Sequence, residues 1–152
     1  SSAASDVYKR QELDVLGRAI EGASNEILSS LIILLLTAVN EHRGREALDL
    51  LKTWISEGGP ELRIASAKAL SRLASKNPSL AREVIESLCS SYLADPSPKV
   101  RRVIVECLSS IAQGLPEFRR GIVRRLLLFL PGERSAEVRG AILDSLTILD
   151  RG

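Results

Sequence analysis

The chain has 152 residues, 45% of them apolar and only 3% aromatic, with a formal net charge of +2. That is enough apolar material for one packed core and excludes a disordered or fibrous chain, while a Leu- and Ala-rich, aromatic-poor balance suits helices better than sheets. The net charge singles out neither nucleic acid nor membrane, although it is unevenly placed: residues 12–95 carry nine basic and twelve acidic side chains, residues 96–152 ten and six.

The first eleven residues, Ser1-Ser-Ala-Ala-Ser-Asp-Val-Tyr-Lys-Arg-Gln11, resemble the in-frame translation of an adapter used in transposase-based sequencing libraries. That resemblance implies a non-native segment over 1–11 and a native sequence beginning near Glu12. Together with the absence of Met, it makes the chain read as a metagenomic fragment. Residues 12–21 carry Leu13, Leu16 and Ile20 at helical spacing and read as the second helix of a pair whose first helix is missing. Residues 25–40 hold the apolar run Leu31-Ile-Ile-Leu-Leu-Leu36, which suits a buried helix and falls far short of the roughly 18–20 residues of a membrane span. The single histidine, His42, falls in a turn, so no His-based triad or multi-histidine metal site can be assembled.

Residues 45–57 form the second helix of this pair, with Trp54 beside Leu51 and Ile55 as a core residue or an interface anchor. A helix over 60–76 follows, opened by Pro60 and presenting Leu62, Ala65, Ala69, Leu70 and Leu73 on one face. A helix over 78–94 turns Leu80, Val84, Ile85, Leu88 and Tyr92 inward. The next first helix presents Val100, Val103, Cys107, Leu108 and Ile111. A helix over 116–130 presents Phe118, Ile122, Val123, Leu126 and Leu130, and Pro131-Gly132 ends it. Residues 135–151 close the chain as a first helix without a second, with Val138, Ala141, Ser145, Leu146 and Leu149 inward.

Three stretches superimpose at a spacing of 38 residues: Glu57-Gly-Gly-Pro-Glu-Leu-Arg63, Asp95-Pro-Ser-Pro-Lys-Val-Arg101 and Glu133-Arg-Ser-Ala-Glu-Val-Arg139. A fixed return of this length marks a helical repeat array. The pattern of a turn acid, Val-Arg, then small and large apolar residues resembles the HEAT repeat, most clearly over 57–151 and more weakly over 22–57. The resemblance implies an all-α, right-handed α-solenoid of antiparallel helical hairpins, about three complete with a partial repeat at each end. It makes 12–152 a single domain cut from a longer array. Departures from the family pattern are Glu in place of the turn Asp at 57 and 133, and Gly22 and Leu28 where the first copy should carry the acid and the Arg. Each acid sits six residues before its Arg, and stacking would bring an Arg of one copy near an acid of its neighbour. Glu57, Arg63, Asp95, Arg101, Glu133 and Arg139 are therefore expected to form a structural ladder rather than a ligand site.

Cys89 and Cys107 lack metal-ligand spacing and imply neither a disulfide framework nor a metal centre, and a reducing cytoplasm is the natural setting. Cys107 aligns with Ala69 and Ser145 as a small packing residue. No Gly-rich phosphate loop occurs, and no cofactor is implied. The feature that departs from the repeat is Arg119-Arg120 with Arg124-Arg125, where the preceding copy has Ala81, Arg82, Glu86 and Ser87. It is either a solvated helix face or an anion-binding stripe, and with Arg82 and Glu86 it makes the candidate partner-binding set. The expectation is a non-enzymatic cytoplasmic scaffold presenting a concave surface to a protein partner, without membrane attachment. The alternative is a nucleic-acid-binding module, including a DNA-glycosylase-like protein, using the stripe; the absence of interleaved aromatics weighs against it.

Overall fold

The computed structural model describes residues 44–151. The helices expected over 12–21 and 25–40, the adapter-like segment and His42 lie outside the described residues. Six α-helices follow one another: α1 (Gly44–Glu57), α2 (Pro60–Lys76), α3 (Ala81–Ala94), α4 (Pro98–Gly114), α5 (Arg119–Phe129) and α6 (Ala136–Asp150). No strand occurs among the described residues.

The starts of α2, α4 and α6 are written in their caps. Pro60 and Pro98 occupy the first turn, where a missing N–H costs nothing. Ser97 and Ser135 accept hydrogen bonds from the amides of Val100 and Val138, each at 3.4 Å, and so satisfy an amide the helix cannot. Gly59, at the equivalent position, has no side chain to do this. Gly58, beside it, is required by space. A Cβ there would lie 2.8 Å from the Trp54 carbonyl oxygen and 2.8 Å from Leu62 Cδ2.

The expected helices over 78–94 and 116–130 need correction at their ends. Each begins with a separate 3-10 turn, Pro78–Leu80 and Pro116–Phe118, before the α-helix proper starts at Ala81 or Arg119. Asn77 and Leu115, directly before proline, are held outside the α region by its ring, with φ −128° in one and −127° in the other. The first bonds then close over three residues, from the amides of Leu80 and Phe118 to the carbonyls of Asn77 and Leu115. A third such turn, Leu130–Gly132, follows α5.

Helices α2, α4 and α6 pack side by side as one layer, and α1, α3 and α5 lie against them as the other. Small buried residues on α2 (Ala65, Ala67, Ala69, Ala74) and Cys107 and Ser109 on α4 permit the close approach within the first layer. Leu48, Leu51, Leu70, Leu88, Ile104, Leu108, Ile111 and Ile122 are wholly enclosed between the layers. Each such side chain contributes about 1.5–3 kcal/mol relative to exposure. On α6 the expected inward face is shifted: Ala141 and Leu146 are half-buried, and Ile142, not assigned from sequence, is fully enclosed. Trp54 is a buried core residue. No helix among the described residues is long and apolar enough to cross a membrane.

Candidate functional site

The 38-residue register and the six-residue offset between acid and Arg together set a spacing of 32 from each Arg to the acid of the next copy. Two rungs form at that spacing. Arg63 donates from Nε and Nη2 to the two carboxylate oxygens of Asp95, at 2.8 and 3.1 Å, and from Nη1 to the Gly58 carbonyl at 3.0 Å. Arg101 donates likewise to Glu133, at 3.0 Å on each oxygen, and to the Asp95 carbonyl at 2.9 Å. The carboxylates are almost closed to water, with side chains 4% and 2% exposed. Each also accepts from a backbone amide two residues on, Ser97 for Asp95 and Ser135 for Glu133. The planar fork of arginine suits this bidentate geometry, and all three nitrogens of each guanidinium donate. Arg139 donates to the Glu133 carbonyl at 2.9 Å. Glu57 is exposed, and neither it nor Arg139 forms an ion pair among the described residues.

The second rung has a member the first lacks. The Tyr92 hydroxyl donates to Glu133 Oε1 at 2.5 Å, and its ring stacks on Phe129 with centroids 4.1 Å apart. At the aligned position of the preceding copy stands Trp54. Burial raises the Tyr92 hydroxyl, and the neighbouring Glu133 carboxylate adds to this, so it remains a neutral donor. For Glu133 burial opposes ionisation, but Arg101, the Tyr92 hydroxyl and the Ser135 amide outweigh it and hold the carboxyl at about 2. That lies below the ordinary glutamate value of about 4.3. Its contribution is therefore complete above about pH 5 and is lost as pH falls toward 2. Urea unfolding at about pH 2.5 should show a loss on the order of 2 kcal/mol relative to pH 6, and Glu133→Gln should flatten that dependence. An unchanged slope in the variant would remove Glu133 as its source.

Neither thiol is placed for chemistry. Burial pushes Cys107 up to about 12, and it raises Cys89 against a partial offset from nearby Arg125. Only the thiolate is reactive. Iodoacetamide should label neither cysteine quickly in the native chain and both in denaturant; fast native labelling of either would contradict the packing assignment. Among the described residues no group of three or more His, Cys, Asp or Glu side chains could hold a metal ion.

The arginine cluster on α5 divides. Arg125 donates to Glu86 on α3 at 2.5 Å, and on the neighbouring pair of helices Arg45 is bound to Glu83. Arg119 is half-buried, and its Nε is enclosed without a hydrogen-bond partner. Arg120 and Arg124 are exposed and unpaired among the described residues, as is Arg82. Sequence reasoning missed what continues their face: Leu127 and Leu128, 53% and 70% exposed, with Leu93 at the end of α3, 74% exposed. The signal was present, because positions 120, 124, 127 and 128 share one side of a helix. Leu93 and Leu128 border a recess of about 300 Å³ with Tyr92 and Phe129 in its lining.

A two-layered all-α helical repeat with buried Arg–carboxylate rungs is the class these residues define. Residues 84–115, running from α3 across the turn through α4, match the family model of the HEAT repeat. That stretch is similar to one HEAT repeat and includes the turn and the Arg101 of the second rung. No curated protein and no solved structure matches the chain.

Proposed function

We propose that the chain is part of a right-handed HEAT solenoid acting as a non-enzymatic cytoplasmic scaffold, which binds a protein through the surface of α1, α3 and α5. The observation that carries this reading is the contrast between the ladder and α5. Arg63 and Arg101 are each held bidentately by a buried carboxylate, whereas Arg120 and Arg124 have no carboxylate partner among the described residues and adjoin exposed leucines. Interface centres favour Arg beside apolar surface that is closed to water on binding, and HEAT repeats commonly mediate protein contacts. The full chain, immobilised and exposed to lysate of the source organism at about 0.15 M salt, should retain a protein after nuclease treatment. Retention of nothing, or of nucleic acid alone, would sink the proposal.

The second reading is nucleic-acid binding, favoured by the unpaired Arg82, Arg120 and Arg124. Weighing against it, Arg125 is neutralised by Glu86, and Leu127 and Leu128 occupy the face a phosphate backbone would need. Duplex DNA retarded with a salt slope of about −2 or steeper would favour this reading; no retardation at low salt removes it.

A further inference from the structure

We propose that the C-terminal ends of α3 and α5 form a docking site for an acidic-apolar protein segment. One large apolar side chain of that segment sits between Leu93 and Leu128, and its carboxylates meet Arg124 and Arg120. This rests on the scaffold reading and specifies the chemistry of the partner.

Three observations converge. The first is that Leu128 is not demanded by the repeat and that Leu93 is an apolar repeat position left uncovered. Thirty-eight residues earlier, Leu128 corresponds to Ser90, and Leu93 corresponds to Ile55, which is buried. A solvated position that carries serine in one copy carries leucine in the next, and an exposed leucine contributes nothing to the fold. The second is shape. Leu93 and Leu128 both line a recess of about 300 Å³ that also holds the stacked Tyr92 and Phe129 and the paired rung residues Asp95, Arg101 and Glu133. A concave recess with Leu93, Leu128 and an aromatic pair in its lining takes an inserted side chain, whereas a bilayer surface would be met by a convex apolar rim. The third is charge. Arg124 lies one turn and Arg120 two turns before Leu128 on the same face, about 6 and 12 Å along the axis. Arg134, exposed, also lines the recess. None of these three guanidiniums has a carboxylate partner among the described residues. The occupant therefore carries acids on one or both sides of its apolar anchor, spaced four and eight residues away if it is helical.

The test is selection from an unbiased peptide display library on the folded full chain at about 0.15 M salt. Enriched peptides should pair a Leu, Phe or Trp with two or more Asp or Glu at one-turn and two-turn spacing. Recovery should fall at least about tenfold on Arg120→Glu with Arg124→Glu, and by a similar factor on Leu93→Ser with Leu128→Ser, which is the loss of about 1.4 kcal/mol of binding in each case. Arg120→Lys with Arg124→Lys should keep part of it, and all these variants alter exposed positions and should match the parent in helical content. Enriched peptides that are neutral or basic, or recovery unchanged on the variants, would overturn the site. So would binding only to phosphatidylserine-containing vesicles or to duplex DNA. A natural protein still retained by both charge-reversed and serine variants would reject this site while leaving the scaffold reading standing; loss of every protein partner from the parent chain would reject both.

Discussion

Replacing Arg101 with alanine is expected to destabilise the chain by about 3–5 kcal/mol, because Glu133 is left as a buried carboxylate without its bidentate partner. The melting temperature should fall by roughly 10 °C or more for a chain of this size. The cost arises from the orphaned charge rather than from the loss of an attraction that water would largely replace. Two comparisons isolate it. Replacing Arg101 with Met and Glu133 with Leu together should be far milder than Arg101→Ala alone, since removing both charges removes the desolvation each required. In Arg101→Ala, moreover, the acid loss of stability between about pH 5 and pH 2 should disappear, because the strongest group holding the Glu133 proton off is gone. Calorimetry on the single and double variants across that range would check both statements. An Arg101→Ala chain that melts with the parent would mean that the rung is decoration.

Leu108→Ala is expected to cost about 2–5 kcal/mol by a different route, a cavity in a place that cannot collapse. Leu108 is fully enclosed on α4, and α4 is the helix against which α2, α3, α5 and α6 all pack. Relaxation to fill the void would have to move several helices at once, which places the site toward the upper end of that range. The control is Leu128→Ala, at a position 70% exposed, where the change should remain within about 0.5 kcal/mol. Urea unfolding of the two variants side by side would settle the contrast; equal losses would mean that the layers do not enclose Leu108 as described.

What could be read from the residues follows from what repeats. The register aligned Pro60 with Pro98, Gly59 with Ser97 and Ser135, and each acid with its Arg, because caps and turn chemistry are local and a helix start needs only a few neighbours. Matters decided by distant parts of the chain were not legible. The Tyr92 hydroxyl finds Glu133 at a separation of 41 residues, and nothing in the spacing of Tyr92 on its own helix distinguishes it from an ordinary apolar inward residue. Phe129 was missed for the same reason, since its place is set by the ring it stacks on. Leu127 and Leu128 were left unassigned: the helix period places them off the inward face, but only the packing of neighbouring helices reveals that their side of α5 has no cover among the described residues. The 3-10 starts at Pro78 and Pro116 were within reach, because the constraint on a residue preceding proline is local; they were lost by treating proline only as a helix opener.

Trp54 is the sole tryptophan of the chain and is buried on α1, beside the turn that leads into α2. Its emission therefore samples one end of the described array, whereas far-ultraviolet ellipticity averages over every helix. In a linear array each unit is coupled chiefly to its neighbours, and ends can melt before middles. The two optical signals have no obligation to share a midpoint. Their separation, followed through Arg63→Ala, becomes a spectroscopic measure of how strongly the Arg63–Asp95 rung transmits cooperativity from one unit to the next.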